Sequence, residues 1–269
     1  MLEMFKLVSH RYGVVNKIVS VPNNPSSDDE IVDLYANAIT GKTKLLMVCH
    51  MINITGQILP VRKICDMAHK KGVQVMVDGA HAFAHFRFSI PELNCDYYGT
   101  SLHKWLSAPL GAGFLYVKKE NIGKVWPLLA EAEKDTNDIL RLNHTGTHPV
   151  HTDLAINDAI DFYKMIGPER KEARLRYLKN YWTSKVMTLP HVVMNTPTNP
   201  ARSCGIANVG IKGMKPGDMA DALFKKYHIY TVPIDYAGVH GCRITPNIYT
   251  SQQDLDILVK AVSELEKLF

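Results

Sequence analysis

The chain has 269 residues, of which 46% are apolar and 21% charged, and its formal net charge is +5. This apolar content is enough for one large domain or two modest ones. No apolar run approaches the ~20 residues that a membrane-spanning helix needs, and MLEMFKLVSHRYG at the start lacks the pattern of a secretory signal. The five cysteines are scattered without a C-x-x-C pair, which argues against disulfides or a thiolate zinc site and predicts a reducing, cytoplasmic location.

Lysine and arginine residues are densest over 167–180, GPERKEARLRYLKN, where glutamates interrupt them. An interrupted charge run is typical of a solvated helix face, whereas nucleic-acid binding favours a clustered basic patch. We therefore expect no nucleic-acid partner and no membrane partner.

The first half of the sequence alternates predicted strands and helices. β-branched residues predict a strand over 14–21, and Ser27 then has capping-box spacing to Glu30 at the start of a helix. A second amphipathic helix runs from Val61 until Gly72 ends it. Short apolar runs predict four further strands, over 44–49, 74–78, 97–101 and 113–117. This alternation predicts an α/β fold, with a mostly parallel sheet and covering helices.

The second half of the sequence has a different pattern. Residues 152–187 are predicted to be helical apart from a break at Gly167-Pro168. The elements predicted after them are a strand over 206–211, a helix after Pro216, strands near 229–232 and 242–245, and a closing helix capped by Ser251 and Asp254. We expect residues 1–152 to form a large domain, and residues 153–269 a connecting helix with a smaller C-terminal α+β domain.

The sequence VDGAH, residues 77–81, ends one of the predicted strands. Asp78 could pair there with a buried cation, and Gly79 leaves room for a ligand to approach the backbone. Ligands of open α/β sheets bind at the carboxyl ends of the strands. An aspartate after a strand is also typical of a helix N-cap, and taken alone this motif favours the cap.

The loop TSLHKWLSAPLGAG follows the predicted strand 97–101. Ser101, His103 and Lys104 place a hydroxyl, an imidazole and an amine close together in sequence. A lysine among aromatic residues and glycines, with few acids, is a candidate for Schiff-base chemistry, because desolvation lowers its pKa. The alternative is an exposed loop lysine, which the neighbouring residues disfavour.

The third motif is GCRITPNIY, residues 241–249. Arg243 lies in an apolar predicted strand with no acidic residue nearby in sequence. Its planar guanidinium suits two-point binding of a carboxylate. A structural ion pair with a distant acid is an equally good interpretation of the same residue.

Together the three motifs resemble the class V aminotransferase group of fold-type I pyridoxal-phosphate enzymes, over essentially the whole chain. The resemblance is carried by VDGAH, by S-x-H-K in the loop after the next strand, and by the late arginine. This group includes cysteine desulfurases, selenocysteine lyases, kynureninases and isopenicillin N epimerase-like proteins. The patterns HKWL-x-AP-x-G-x-GFLYV and G-x-R-x-x-P-x-IY are most similar to the isopenicillin N epimerase-like branch.

The resemblance implies a pyridoxal 5′-phosphate cofactor, an amino-acid substrate, and transfer, epimerisation or C–S lyase chemistry at the α-carbon. Lys104 and His81 would be the catalytic residues. Lys104 would carry the cofactor as a Schiff base and shuttle the Cα proton, while Asp78 would keep the ring nitrogen of the cofactor protonated. His81 would lie over the ring near its phenolic oxygen, to which Asn53 would also donate a hydrogen bond.

The remaining residues that the resemblance implies are anion-binding. Ser101 and His103 would hold the phosphate of the cofactor, and Arg243 would bind the α-carboxylate of the substrate. The loop HTGTH, residues 144–148, would reach the phosphate of a neighbouring subunit through Gly146 and Thr147. The resemblance therefore implies a homodimer with the cofactor site at the subunit interface.

Cysteine desulfurases in this group use a mobile nucleophilic cysteine ahead of the carboxylate-binding arginine. Residues 231–241 contain no cysteine, and Cys242 directly precedes Arg243 in the predicted strand. A persulfide mechanism is therefore not expected. The resemblance also implies that the large domain is N-terminally incomplete, so a catalytically incompetent, dimerising scaffold is the main alternative function.

A metallohydrolase is a more distant alternative. The twelve histidines include two closely spaced sets, His81/His85 and His144/His148/His151. Pro149 interrupts the second set, and acidic residues stand only at the margins of both. We expect no metal site.

Overall fold

The computed structural model of the chain describes residues 2–129, 135–143, 146–147 and 150–265, which contain two four-stranded sheets. The first sheet contains β1 (Leu45–Cys49), β2 (Gln74–Asp78), β3 (Tyr97–Ser101) and β4 (Gly113–Val117). The strands lie side by side in this order, the first three parallel and β4 antiparallel to β3. The predicted α/β fold with a mostly parallel sheet is thereby confirmed.

The helices of the first half are α1 (Leu2–Tyr12), α2 (Asp28–Ala38), α3 (Val61–Lys70) and the short α4 (Ile90–Leu93). Ser27 caps α2 as predicted, because its hydroxyl accepts the Glu30 amide hydrogen bond at 3.0 Å. The Glu30 carboxylate accepts from the Ser26 amide and hydroxyl, so the reciprocal half of the capping box is displaced by one residue. The apolar faces of α2 and α3 pack with β1 and β2 in one core.

The predicted strand over 14–21 is wrong. Residues 13–27 form no helix or strand, and β1 has no described neighbour on its outer side. A strand is stable only when its backbone groups pair, and β-branched residues alone cannot supply that partner. Val15 and Ile18 are 90% and 66% exposed, whereas Val19 and Val21 pack against the core of the first sheet.

The second half of the chain forms a smaller α+β unit, as predicted. Its helices are α5 (Val150–Ile166), α6 (Pro168–Val186), α7 (Pro216–Tyr227) and α8 (Gln252–Glu264). Its antiparallel sheet has the order β5-β6-β8-β7, with β5 (Val192–Met194), β6 (Ala207–Ile211), β7 (Val232–Tyr236) and β8 (Val239–Ile244). The last two strands lie a few residues from their predicted positions, and β5 was not predicted. A domain division after residue 152 would fall inside α5 and stays a prediction.

None of the described helices combines the length and the apolar character needed to cross a membrane.

Two lysines of α6 do not belong to the solvated helix face that is predicted over 167–180. Lys171 and Lys179 are only 3% and 6% exposed. They lie on the same helix face as Leu175, Leu178 and Trp182, which carry this helix into the core. Lys179 Nζ donates to Ser203 Oγ at 3.0 Å, because a buried ammonium needs acceptors. Burial lowers the pKa of both lysines, that of Lys171 to about 8.

The core of the second unit is built around Trp182, whose side chain is fully buried between α6, α8 and the antiparallel sheet. We expect Trp182→Ala to lower the free energy of unfolding by about 3–5 kcal/mol, because the indole leaves a cavity that the surroundings fill only in part. Tyr249 is an aromatic residue that is 83% exposed, so Tyr249→Ala is a control that should change stability by less than about 0.5 kcal/mol. Urea denaturation measures both values, and equal losses would contradict this assignment of the core.

Candidate active site

The predicted site residues follow three neighbouring parallel strands of the first sheet. Parallel pairing brings the carboxyl ends of β1, β2 and β3 to one edge, with Cys49 opposite Asp78 and Asp78 opposite Gly99. The loops at this edge carry Asn53 after β1, Asp78 and His81 at the end of β2, and Ser101, His103 and Lys104 at the end of β3.

The turn after β2 is tightly packed against β3. The Gly79 amide donates to Gly99 O at 2.8 Å, and a Cβ at Gly79 would lie only 2.0 Å from the Tyr98 ring. A glycine is therefore required at this position. Asp78 Oδ1 accepts the Ala80 amide hydrogen bond at 3.0 Å within a turn, so Asp78 is not the N-cap of an α-helix.

Lys104 and His81 are in direct contact, with 3.3 Å between Lys104 Nζ and His81 Nε2. Lys104 is half-buried, so the alternative of an exposed loop lysine is wrong. Burial lowers the pKa of Lys104, the Asp78 carboxylate opposes this change, and the Arg243 guanidinium adds to it. A lysine with a lowered pKa supplies a larger share of neutral, nucleophilic amine at neutral pH.

His81 is a neutral imidazole in this environment. Its pKa falls from 6.5 to about 3, chiefly through burial and then through the positive charges of Lys104 and Arg243 and the proximity of His103. An imidazole that stays neutral keeps one N–H donor and one lone pair at all ordinary pH values. His81 can therefore donate or accept a hydrogen bond here without carrying charge.

Arg243 reaches this edge from the second sheet. It lies in β8, and its Nη1 donates to Asn53 O at 3.2 Å. Burial lowers the pKa of Arg243, with Tyr230 opposing this change. It forms no ion pair with any acid in the described part of the chain, so the alternative of a structural ion pair is not observed. Its Nε is buried without a partner, which fits a guanidinium awaiting an anion.

A second unsatisfied group lies next to Lys104 in sequence. The Nδ1 atom of His103 is buried and has no hydrogen-bond partner among the described residues. Buried polar atoms of this kind need an explanation, and an absent ligand is one. The unpartnered atoms of His103 and Arg243, together with the half-buried Lys104 amine, fit a ligand that carries a carbonyl group and anionic groups.

The other predicted residues are placed differently. Ser101 ends β3, where it pairs with Gly113 of β4. Gly146 and Thr147 are exposed in the segment that leads into α5, and their contact with a neighbouring subunit stays a prediction.

The described residues contain no group of three or more histidines, cysteines or acids that could hold a metal ion. His144 and His148 of the second histidine set lie outside the described residues. Neither ring nitrogen of His85, in the first set, is free to bind a metal ion. Its Nδ1 donates to His81 O and its Nε2 accepts the Gly205 amide hydrogen bond, both at 2.8 Å.

Three buried residues behind the site were not predicted from the sequence. The His85 ring stacks on Trp105 with 3.6 Å between ring centroids, and Lys171 Nζ donates to Trp105 O. The sequence could have indicated that Lys171 is buried, because its spacing to Leu175 and Leu178 places all three residues on one face of the helix. In the sequence His85 was noted only as a member of a closely spaced histidine pair, and nothing indicated that its ring stacks on Trp105.

The sequence family model described as aminotransferase class-V matches residues 5–258. Among curated proteins, isopenicillin N epimerase of Streptomyces clavuligerus is 28% identical over 275 aligned residues, which cover 96% of this chain and 69% of the epimerase.

Solved structures share the fold over nearly the whole chain. The apo cysteine desulfurase of Thermococcus onnurineus NA1 superposes with a TM-score of 0.85 at 20% identity, over 100% of this chain and 70% of the desulfurase. A mutant of the protein C-DES, with glycine covalently linked to its PLP cofactor, has a TM-score of 0.86 at 19% identity, over 98% and 71% of the two chains.

The buried His85 ring, whose two nitrogens are both hydrogen-bonded, predicts how the free energy of unfolding depends on pH. Burial lowers the pKa of His85 from 6.5 to about 3 in the folded chain. As the pH falls through this range, the unfolded chain takes up a proton that the folded chain does not bind. His85 should therefore lower the free energy of unfolding by about 1.4 kcal/mol for each pH unit below about 6.5.

We expect His85→Gln to show a shallower loss of unfolding free energy between pH 6.5 and pH 4 than the unmodified chain. The control is His10→Gln, which removes an exposed histidine of α1 by the same substitution. Urea titrations at four pH values measure these slopes. Parallel slopes for the chain and His85→Gln would contradict a buried, neutral His85.

Proposed function

The chain belongs to the class-V aminotransferase family, and on this premise we propose that it uses pyridoxal 5′-phosphate to act at the α-carbon of an amino acid. The observation that carries the proposal is the half-buried Lys104 amine, 3.3 Å from His81 Nε2 and within electrostatic range of Asp78 and Arg243. The cofactor is supported by the family of the chain and by the C-DES neighbour with its covalently linked PLP cofactor.

The proposed roles of Lys104, Ser101 and His103 follow from the chemistry of their side chains. When bound, pyridoxal phosphate withdraws electrons from the α-carbon of an attached amino acid and so acidifies its C–H bond. The Lys104 amine would hold the cofactor covalently and accept or return the α-proton. Ser101 and His103 would bind the phosphate, since the unpartnered His103 nitrogen can donate to an anion.

The residues on the other loops would orient the cofactor and the substrate. The Asp78 carboxylate, held by the Ala80 amide, would keep a proton on the ring nitrogen of the cofactor. His81 and Asn53 would bind its phenolic oxygen. The unpartnered Nε of Arg243 makes its guanidinium suited to the α-carboxylate of the substrate.

The cysteines favour proton transfer over persulfide chemistry. Cys242 is buried in β8, where its Sγ lies 3.4 Å from Pro216 O, and burial raises its pKa. A thiol that is buried and protonated is a poor nucleophile. Epimerisation or transamination is therefore the proposed reaction, in line with the isopenicillin N epimerase relative.

The proposed assembly is a homodimer with the cofactor site at the subunit interface. Large apolar side chains are exposed on the segments on either side of Gly146 and Thr147, and such surfaces mark interfaces. The most exposed are Trp126 at 90%, Leu128 at 96%, Leu154 at 72% and Met165 at 73%. A second copy of the chain would cover these residues and bring Gly146 and Thr147 to the phosphate.

Addition of pyridoxal phosphate should give a yellow absorption band that borohydride bleaches, because reduction traps the lysine–cofactor bond. Lys104→Ala should lose this band completely. The matched control is Lys119→Ala, which removes an exposed lysine just beyond β4 and should keep the band. Absorbance spectra and peptide mapping of the reduced protein measure the outcome.

Two results would contradict the proposal. Absence of the band in the unmodified chain, with dimers present by light scattering, would favour the dimerising scaffold. Stoichiometric zinc without a chromophore would favour the metallohydrolase.

The role of Arg243 is tested with two ligands that differ only in a carboxylate. Arg243→Lys should weaken the binding of L-alanine about 10- to 100-fold, because a charged two-point contact is reduced to a single point. Binding of ethylamine, which lacks the carboxylate, should not change. Spectral titration of the cofactor-loaded chain measures both affinities, and an equal loss for both ligands would contradict the assignment.

A further inference from the structure

The His81 ring lies between two hydrogen-bond donors. On one side the Trp105 indole N–H donates to His81 Nδ1, with 3.4 Å between the nitrogens. On the other side His81 Nε2 lies 3.3 Å from Lys104 Nζ. A neutral imidazole has a single lone-pair nitrogen, so it can accept from only one of these neighbours.

The two possible proton positions on His81 require different states of Lys104. With the indole bound at Nδ1, the His81 proton is on Nε2 and points at Lys104, which can accept it only as a neutral amine. A charged Lys104 has three donors and no acceptor, so it requires the lone pair at Nε2. The His81 proton would then be on Nδ1, facing the indole N–H. The first arrangement satisfies both contacts and the second does not.

Trp105 cannot move away from His81 without breaking its other contacts. Its side chain is buried, its carbonyl oxygen accepts from Lys171 Nζ, and its ring stacks on His85. His85 is itself held by hydrogen bonds to His81 O and to the Gly205 amide. The indole N–H is therefore a fixed donor at the back of His81.

Other charged and titratable groups also act on Lys104. The Asp78 carboxylate favours its ammonium form, whereas burial and the Arg243 guanidinium favour the neutral amine. His103 lies within electrostatic range of His81. These groups act through charge, whereas the Trp105 contact acts by selecting where the His81 proton lies.

We propose that Trp105 is a positioning residue whose indole N–H keeps the His81 proton on Nε2 and thereby favours the neutral, nucleophilic amine of Lys104. This inference deepens the proposed function and rests on it for its chemical consequence. That consequence is faster capture of the cofactor, in which the Lys104 nitrogen bonds to the aldehyde carbon and water leaves. The position of the His81 proton can be measured without any cofactor.

The first test is ¹⁵N NMR of the full chain labelled at histidine, in which ring-nitrogen shifts report the protonated atom. His81→Gln identifies the His81 signals by their loss. The unmodified chain should show the proton on Nε2, and Trp105→Phe should move it to Nδ1, because Lys104 then donates to Nε2. Trp182→Phe is the matched control, since it removes another buried indole that has no partner among the described residues.

The second test is the pH dependence of cofactor capture, which a merely structural role of Trp105 would not move. The rate of appearance of the yellow band should follow the fraction of neutral Lys104 amine. Trp105→Phe should shift the midpoint about one pH unit upwards, equivalent to about tenfold slower capture at neutral pH, which is the effect of one hydrogen bond. Trp182→Phe should keep the original midpoint.

A third variant allows the inference to be tested even if Trp105→Phe does not fold. Replacing Trp105 with β-(3-benzothienyl)alanine puts sulfur in place of the N–H and keeps the volume of the side chain. Unchanged His81 signals in this variant would overturn the inference, and a yellow band in the same protein would leave the proposed function intact. A moved proton without any yellow band would support the placement by Trp105 and contradict the proposed function.

Discussion

The parallel pairing of β1, β2 and β3 is the constraint on which the site depends. Parallel strands end at the same edge of a sheet, so the loops that follow them meet although they are far apart in sequence. The register that sets Asp78 opposite Gly99 also brings His81 within 3.3 Å of Lys104. A shift of β3 by one residue would turn its side chains to the opposite face of the sheet and separate this pair.

The strands that pair within the first sheet were predictable from the sequence, whereas the strand predicted over 14–21, which has no described partner, was wrong. The observed bounds of β2, β3 and β4 equal the predicted ones, and each of these strands pairs with at least one described neighbour. The segment 14–21 is richer in β-branched residues than these strands but forms no strand, since no described strand pairs with it. Composition indicates what a segment can bury, and pairing decides whether it becomes a strand.

The residues of the candidate site were predicted through their motif, and those behind it were not. Asp78, His81 and Lys104 belong to short sequence patterns, and a pattern can be read without knowing the fold. The contact between Trp105 and His81 depends on the turns after β2 and β3, in which Ala84 and Ser107 adopt left-handed backbone conformations. Alanine and serine do not predict a left-handed conformation, because they adopt it only when the surrounding packing compensates for its cost in free energy.

The second unit contributes to the lowered pKa of Lys104, because burial lowers this pKa and the Arg243 guanidinium adds to the effect. Hydrogen bonds join the two at the carboxyl edge, from Thr196 Oγ1 to Thr55 O at 2.7 Å and from Arg243 to Asn53 O at 3.2 Å. At Gly56 a Cβ would lie 2.2 Å from the carbonyl oxygen of residue 206, which shows how closely the two backbones approach. This contact brings a second positive charge, the Arg243 guanidinium, near Lys104. The first sheet positions the amine, and the packing of the second unit against it brings the Arg243 charge that favours the neutral form of this amine.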